Sequence, residues 1–127
     1  MSPRWVDYSF IFATVALSVY GQLILKWRMD QAGPLPAGWA GGLGHLLRLL
    51  IDPAVLSSFA AAFAASLAWM AAMTRFELSY AYPFTSLSFV IVLVLSTSLF
   101  GENLTVQKVL GVGLIVAGTL LASSSPR

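Results

Sequence analysis

The hydrophobic positions of the chain fall into four long stretches that carry no charged residue. Each stretch has about 18 to 24 residues, and a helix that rises ~1.5 Å per residue needs about 20 to cross the hydrocarbon of a bilayer. A backbone in lipid must satisfy its hydrogen bonds internally, so each stretch is predicted to be a transmembrane helix. The pattern predicts an all-α membrane protein, a single domain over residues 1–127, with four transmembrane helices at about 6–27, 53–74, 78–100 and 106–123.

A shorter helix is predicted in the connection between the first two spans. This connection is rich in glycine and proline, and it ends in LGHLLRLLID. Its leucines at 43, 46, 47 and 50 have the i, i+3, i+4, i+7 spacing of an amphipathic helix that lies on a membrane surface. We expect this interfacial helix at about residues 43–51. Asp52 would then cap the second span, with Pro53 in its first turn.

The other two connections are brief. TRFELS joins the second and third spans, so these two helices are expected to form an antiparallel hairpin. In GENLTVQK, Gly101 is placed to end the third span, and Asn103 or Thr105 is placed to cap the fourth. Each short connection therefore keeps the two spans that it joins close together in space.

Composition excludes a soluble domain and several kinds of site. Hydrophobic residues make up 58% of the chain and charged residues only 9%, whereas about 25% is usual in soluble domains. There is no cysteine, so no disulfide and no cysteine-ligated metal or haem is expected. The sequence contains no nucleophile triad, metal cluster or phosphate-binding loop. Neither enzymatic activity nor a cofactor is therefore expected. The scattered basic residues do not predict a nucleic-acid partner.

Charge does not decide how the protein is oriented in the membrane. Four crossings place both termini and the second connection on one side, and the first and third connections on the other. The basic residues of the first side are Arg4, Arg75 and Arg127, and those of the second are Lys26, Arg28, Arg48 and Lys108. This bias is too small for the positive-inside rule. It fits a dual-topology protein and also a protein whose orientation is set in another way.

Polar side chains near the end of the first span form a candidate binding stripe. Gln22 and Lys26 are four residues apart, so a helix stacks them on one face, and Ser18 extends that face one turn further into the membrane. A polar amide within a span often hydrogen-bonds to another helix, and a lysine near a helix end often reaches the interface. Packing and binding both remain open for these residues.

A second polar stripe is predicted at the start of the third span, in YAYPFTSLSF. Tyr82 and Ser86 repeat the four-residue spacing, Ser88 follows, and Pro83 either opens the helix or kinks it. Two polar stripes in a four-helix protein indicate a cavity lined by hydrogen-bonding groups. A ring of hydrogen bonds between the helices would give the same pattern.

Opposite charges are predicted to meet at each membrane face. Lys26 and Arg28 leave the first helix on the side where Glu102 follows the third. We expect a pair between Lys26 and Glu102, either as a structural clamp or as a latch that an anionic head group opens. Arg75 and Glu77 are the expected counterpart on the opposite face. Charges that are simply solvated at the interface remain the alternative.

The fourth span has the pattern of a helix-packing surface. Gly113 and Ala117 have the small-xxx-small spacing that favours association of membrane helices. Four short helices enclose little volume alone, so we expect a dimer around the cavity, formed with a second copy or with a paralogous four-helix subunit. The predicted packing residues are Gly111, Gly113, Ala117 and Gly118.

Three segments of the chain carry a family resemblance: GQLILKW, AYPFTSLSFVIVLV and GENLTVQKVLGVGLIVAG. They resemble the small-multidrug-resistance-like, four-helix members of the drug/metabolite transporter superfamily. The likeness is closest to the flippase subunits for undecaprenyl-phosphate-linked aminoarabinose. It implies a flippase that moves polyprenyl-phosphate glycolipids across the bacterial inner membrane.

The resemblance also implies roles for the polar residues. The lipid phosphate would be held by Lys26, together with Arg28. Glu102 is a predicted binding residue through the latch with Lys26 described above. The polyprenyl tail would remain among the membrane lipids, in a gap between helices. The sugar would receive hydrogen bonds from Gln22, Tyr82, Ser86 and Ser88.

The sequence departs from the drug-exporting branch of that superfamily at one position. Those exporters depend on a membrane-buried glutamate two turns before the lysine of the first helix, and Ser18 stands there in this chain. Proton-coupled export of cationic drugs is therefore disfavoured, although a small multidrug-type exporter remains an alternative. The other alternative is a non-transporting membrane subunit that scaffolds a glycosyltransferase.

Overall fold

The computed structural model describes residues 5–124, and it confirms an all-helical membrane protein. Four helical segments are long and apolar enough to cross a bilayer: Trp5–Ala32, Pro53–Met73, Leu78–Phe100 and Val106–Ser123. We label the helices α1 (Trp5–Ala32), α2 (Trp39–Leu49), α3 (Pro53–Met73), α4 (Leu78–Ala81), α5 (Leu87–Phe100) and α6 (Val106–Ser123). Arg4 and Arg127, which enter the orientation count, lie outside the described residues.

Helix α1 and the interfacial helix α2 are both longer than the sequence predicts. α1 continues five residues past position 27, to Ala32, and Gly33 then takes a left-handed φ of 83°. α2 begins at Trp39, directly after Gly38, which also has a φ of 83°. Only glycine adopts this backbone conformation without strain, so these two glycines mark where the helices end and begin.

The third span is not one continuous α-helix. It consists of the single turn α4, a 3₁₀ segment over Tyr82–Ser86, and α5. Pro83 has no amide hydrogen, and its ring disfavours regular helix immediately before it, so the chain tightens into the 3₁₀ form at this point. The proline therefore opens the third span with a short irregular segment, which changes the faces on which the neighbouring side chains lie.

Local signals fix the other helix ends. Asp52 caps α3 by accepting a hydrogen bond from the Ala54 N–H at 2.9 Å, with Pro53 in the first turn. Thr105, rather than Asn103, caps α6 by accepting from the Lys108 N–H at 3.1 Å. Gly101 ends α5 with a φ of 66°. These caps use hydrogen-bonding groups that a helix leaves unpaired at its ends.

The main packing contact of the fold is between α1 and α3. Ile11, Val15 and Val19 of α1 are buried, as are the small residues Ala61 and Ala65 of α3. Further along, Gly21 comes so close to α3 that an added Cβ would lie 3.1 Å from the Ser58 carbonyl oxygen. Small residues let membrane helices approach this closely, and close packing is the principal force that holds them together.

An aromatic cluster closes the end of the bundle that carries the N-terminus and the α3–α4 connection, which we call the Arg75 face. The rings of Tyr8 and Phe76 are 4.9 Å apart, and those of Tyr80 and Phe84 are 5.4 Å apart. The hydroxyls of Tyr8 and Tyr80 are 3.1 Å apart and hydrogen-bonded. The cluster joins α1, α3 and the start of the third span at this face.

The ion pair at the Arg75 face differs from the predicted one. Arg75 Nε lies 3.5 Å from Asp7 Oδ1, a carboxylate buried on α1, whereas the sequence predicted Glu77 as its partner. Glu77 is an exposed residue at the start of α4. A pair with Asp7 links α1 to the end of α3, whereas a pair with Glu77 would only have closed a local turn.

A second ion pair lies at the opposite end, which we call the Glu102 face. Arg28 Nε donates to Asp52 Oδ2 at 2.8 Å, while Oδ1 of the same carboxylate caps α3. The hydrogen bond from Arg28, supported by that from the Ala54 N–H, holds the pKa of Asp52 below its ordinary value of 3.8. Asp52 therefore fastens the end of α1 to the beginning of α3.

We expect the Asp52→Asn variant to melt at a lower temperature than the wild type at neutral pH. Asparagine keeps the helix cap but removes the charge. A lowered folded-state pKa stabilises the protein above the ordinary value of 3.8, and this contribution is lost as the pH falls through the lower folded-state value. The wild-type advantage should therefore disappear in acid, as measured by thermal melts in detergent.

The matched variant Arg28→Gln should lower the melting temperature by a similar amount at neutral pH. Because the two side chains form one interaction, the double variant should be scarcely less stable than either single variant. Additive losses in the double variant would show that the ion pair is not what stabilises this connection.

Candidate functional site

A cavity of about 580 Å³ lies between α1, α5 and α6. Its wall is mostly apolar, with a few polar groups at intervals. A cavity that is mainly apolar with a small number of placed polar groups is the usual form of a ligand site. The lining residues are Gln22, Ser88, Phe89, Val92, Leu93, Ser96, Glu102, Lys108, Gly111, Val112 and Ile115.

The cavity exists because α6 stands away from α5 over the first half of its length. α6 contacts the 3₁₀ segment of the third span more than it contacts α5. The hydroxyls of Ser86 and Thr119 are hydrogen-bonded to each other, which joins the second half of α6 to the 3₁₀ segment. Lys108, Gly111 and Ile115 lie near one face of α6 by their spacing, and this face looks into the cavity.

Three of the predicted site residues line this cavity. Gln22 comes from α1, Ser88 from the start of α5, and Glu102 from the connection after α5. Gly111, which the sequence predicted as a packing residue, is also in the wall, and an added Cβ there would have no atom within 4 Å. The structure thus brings together polar groups from separate spans, as a lined cavity requires.

Tyr82 and Ser86 do not line the cavity together. Tyr82 is 63% exposed, with its ring edge-on to Trp69 at 6.2 Å, whereas Ser86 is buried against Thr119. The predicted stripe assumed 3.6 residues per turn, but the 3₁₀ segment has about 3.0, so positions i and i+4 point in different directions. The polar face therefore begins at Ser88, whose hydroxyl donates to the Thr85 carbonyl at 2.7 Å.

Lys26 and Arg28 are each paired with an aspartate. Lys26 Nζ lies 2.9 Å from Asp30 Oδ1, one turn further along α1, and both side chains are about half exposed. Lys26 therefore makes its ion pair with Asp30 and not with Glu102 as expected, and Glu102 interacts with it only at longer range. Asp30 was not predicted as the partner because the first helix was expected to end near Trp27. The i, i+4 spacing of Lys26 and Asp30 is the signal that could have indicated this pair.

Lys108 is a cavity residue that sequence reasoning did not select. It lies in the first turn of α6, and its Nζ donates to the Asn103 carbonyl at 2.8 Å. In the sequence, Lys108 enters only the count of charges that bears on orientation. Its position six residues after Glu102, across a short connection, could have indicated that both side chains reach the same space.

A second, smaller cavity of about 160 Å³ lies between α1 and α3. Ser18, which stands where the drug exporters carry their glutamate, is part of its wall, together with Gly21 and Ser58. Gln22 lines both cavities, so this residue lies between them. Gln22 is thus the polar group that connects the α1–α3 contact to the larger cavity.

The outer side of α6 has no partner within the described chain. No residue of α6 is buried, and Leu114 and Leu121 are each 75% exposed. A Cβ added at Gly113 or Gly118 would meet no atom within 4 Å. Ala117 is also exposed. This small-residue surface is available to lipid or to another protein chain.

Comparison with known proteins identifies the family. Residues 4–124 match the EamA-like transporter family. The chain belongs to this family. As an EamA-like transporter with four spans, it is a multi-pass membrane protein. Residues 5–124 contain no group of three or more histidine or acidic side chains that could hold a metal ion.

Relatives of this chain with curated names include probable flippase subunits. The chain is 38% identical to a probable 4-amino-4-deoxy-L-arabinose-phosphoundecaprenol flippase subunit ArnF of Pseudomonas aeruginosa strain PAO1, over 87% of this chain and 80% of the relative. Proteins of the same name from Sodalis glossinidius and Aeromonas salmonicida are 36% and 32% identical, over 91% and 98% of this chain and 89% and 83% of the relatives. No solved structure matches the chain.

Proposed function

We propose that this protein is one subunit of a flippase that carries a polyprenyl-phosphate-linked amino sugar across the bacterial inner membrane. The observation that carries the proposal is the cavity between α1, α5 and α6, which is apolar overall yet holds polar groups from the Glu102 face into the span. The names of the ArnF relatives supply the ligand class, an arabinose-derived amino sugar on phosphoundecaprenol.

The depth of the cavity suits a head group that crosses the hydrocarbon. Ser88 and Glu102 both line it, and at ~1.5 Å of rise per residue they are separated by about 20 Å along the helix, out of a hydrocarbon thickness of about 30 Å. A sugar loses its water when it enters lipid, and each unpaired polar group costs free energy there. Groups placed along this depth replace the lost hydrogen bonds.

The polar groups of the wall offer both acceptors and donors. The Ser88 and Ser96 hydroxyl protons are used on backbone carbonyls at 2.7 and 3.3 Å, so their oxygens are free to accept from a sugar. The Gln22 amide can donate as well as accept. The gap between α5 and the first half of α6 gives the polyprenyl tail a place beside the head group while it stays in lipid.

A second four-helix subunit, identical or paralogous, completes the transporter in this proposal. The outer side of α6 carries Gly113, Ala117 and Gly118, and none of these residues is covered within the described chain. Small residues at this spacing favour the close approach of another membrane helix.

Native mass spectrometry of the detergent-purified protein tests the proposed function. The probe is undecaprenyl phosphate carrying 4-amino-4-deoxy-L-arabinose, and undecaprenol, which has the same tail without a head group, is the control. We expect the protein to retain the amino-sugar lipid and to lose undecaprenol under the same conditions. Equal retention of both lipids, or of neither, would overturn the proposal, because binding would then not depend on the head group.

A further inference from the structure

The mouth of the large cavity holds one carboxylate and one ammonium group, and the rest of its lining is uncharged. These groups belong to Glu102 and Lys108, which lie where α5 ends and α6 begins. A ligand with a single charge would leave one of them unmatched in a mostly apolar space, which is unfavourable. The pair therefore suits a ligand that carries one positive and one negative charge.

The Glu102 carboxylate is available to a cationic group. Within residues 5–124 it makes no hydrogen bond or close ion pair and interacts with Lys26 only at longer range, whereas Asp7, Asp30 and Asp52 each pair with a basic side chain. Glu102 is also partly buried. A partly buried carboxylate that makes no hydrogen bond is costly, and an ammonium group supplied by a ligand would lower that cost.

Lys108 is the basic residue of the cavity wall that is available to a phosphate. Its Nζ uses one hydrogen on the neutral Asn103 carbonyl, which leaves two N–H donors and an unneutralised charge. Lys26 and Arg28, by contrast, are neutralised by Asp30 and Asp52 and are absent from the cavity lining. The phosphate is therefore expected to contact the beginning of α6, and not the end of α1 as the sequence suggested.

We propose that Glu102 and Lys108 together select a zwitterionic head group, with the sugar ammonium on Glu102 and the phosphate on Lys108. This inference rests on the proposed function and adds the residues that set its specificity. A 4-amino sugar 1-phosphate carries its amine and its phosphate on opposite sides of one ring, so a single head group supplies both charges. A neutral sugar phosphate would engage Lys108 alone and leave Glu102 unpaired.

Binding isotherms from native mass spectrometry with two lipids test this assignment. One is undecaprenyl phosphate carrying 4-amino-4-deoxy-L-arabinose, and the other is its N-acetyl derivative, whose amide has no charge. We expect the wild type to bind the free amine roughly 10- to 100-fold more tightly, the usual worth of a hydrogen bond between charged groups. Glu102→Gln should abolish this preference and leave the affinity for the N-acetyl lipid nearly unchanged.

Lys108→Gln should behave differently, because it should weaken both lipids by a similar factor and keep the preference for the free amine. Glu77→Gln, which removes an exposed carboxylate at the opposite face, is the matched control and should bind like the wild type. Circular dichroism and gel filtration would verify that each variant is folded.

The possible failures of the two proposals can be told apart. If the wild type binds the two lipids equally, or if the preference survives in Glu102→Gln, the charge assignment is wrong while the proposed function stands. If the wild type binds neither lipid, the proposed function itself fails, and the assignment fails with it.

Discussion

Replacing Gly21 with leucine is expected to leave little correctly folded protein in the membrane. A Cβ at this position would lie 3.1 Å from the Ser58 carbonyl oxygen, a backbone atom that cannot rotate away. Overpacking of a close contact costs about 1–3 kcal/mol, and more when a backbone must move. Because α1 and α3 form the main packing contact of the fold, their separation should destabilise the whole bundle. The yield of monodisperse protein and its melting temperature in detergent measure the effect.

Two further substitutions separate this contact from a general effect of losing a glycine. Gly21→Ala gains up to about 1 kcal/mol in helix propensity but still meets the Ser58 oxygen, so we expect a smaller net loss. Gly44→Leu makes the same change as Gly21→Leu on α2, where a Cβ has no neighbour within 4 Å, and it should melt like the wild type. If Gly21→Leu also melted like the wild type, the packing of α1 on α3 described above would be wrong.

The number and place of the spans could be predicted because bilayer thickness and backbone hydrogen bonding leave few choices. The fourth span, at Val106–Ser123, and the beginning of α3 at Pro53 lie where the sequence predicts them. In both cases a capping side chain next to the span, Thr105 or Asp52, marks the start locally. The end of α1 was harder to predict, because Lys26, Arg28 and Asp30 resemble a polar connection although they continue the helix.

Less of the candidate site could be predicted, because it depends on backbone geometry and on which charges pair. The four-residue spacing of Tyr82 and Ser86 suggested a common face, but the 3₁₀ segment after Ala81 turns the two side chains apart. Lys26 looked free to bind a phosphate because its partner Asp30 was assigned to a loop. Lys108 was overlooked because only the packing of α6 on the 3₁₀ segment shows which of its faces lines the cavity.

Replacing Gly111 with tryptophan is expected to block ligand binding without harming the fold. Gly111 lines the large cavity, and a side chain added there meets no atom within 4 Å at its Cβ, so the indole can enter the space between α5 and α6. An indole in this position would take the volume that the head group needs. We expect the affinity for the amino-sugar lipid to fall more than about tenfold, a loss of at least about 1.4 kcal/mol of binding free energy.

Leu120→Trp is the matched control for this cavity variant. It places the same indole on the same helix, at a position that is 65% exposed and outside the cavity lining. Its melting temperature and lipid affinity should both equal those of the wild type. Gly111→Trp should also keep the wild-type melting temperature, so that its loss of binding cannot be attributed to unfolding.

The most direct test of whether this cavity holds the head group is to compare the wild type, Leu120→Trp and Gly111→Trp. Their affinities for the amino-sugar lipid would be measured side by side. The account predicts that the wild type and Leu120→Trp bind undecaprenyl phosphate 4-amino-4-deoxy-L-arabinose equally well, and that Gly111→Trp, although folded, binds it more than about tenfold more weakly. Wild-type affinity in a folded Gly111→Trp variant would contradict the account and place the lipid elsewhere on the protein.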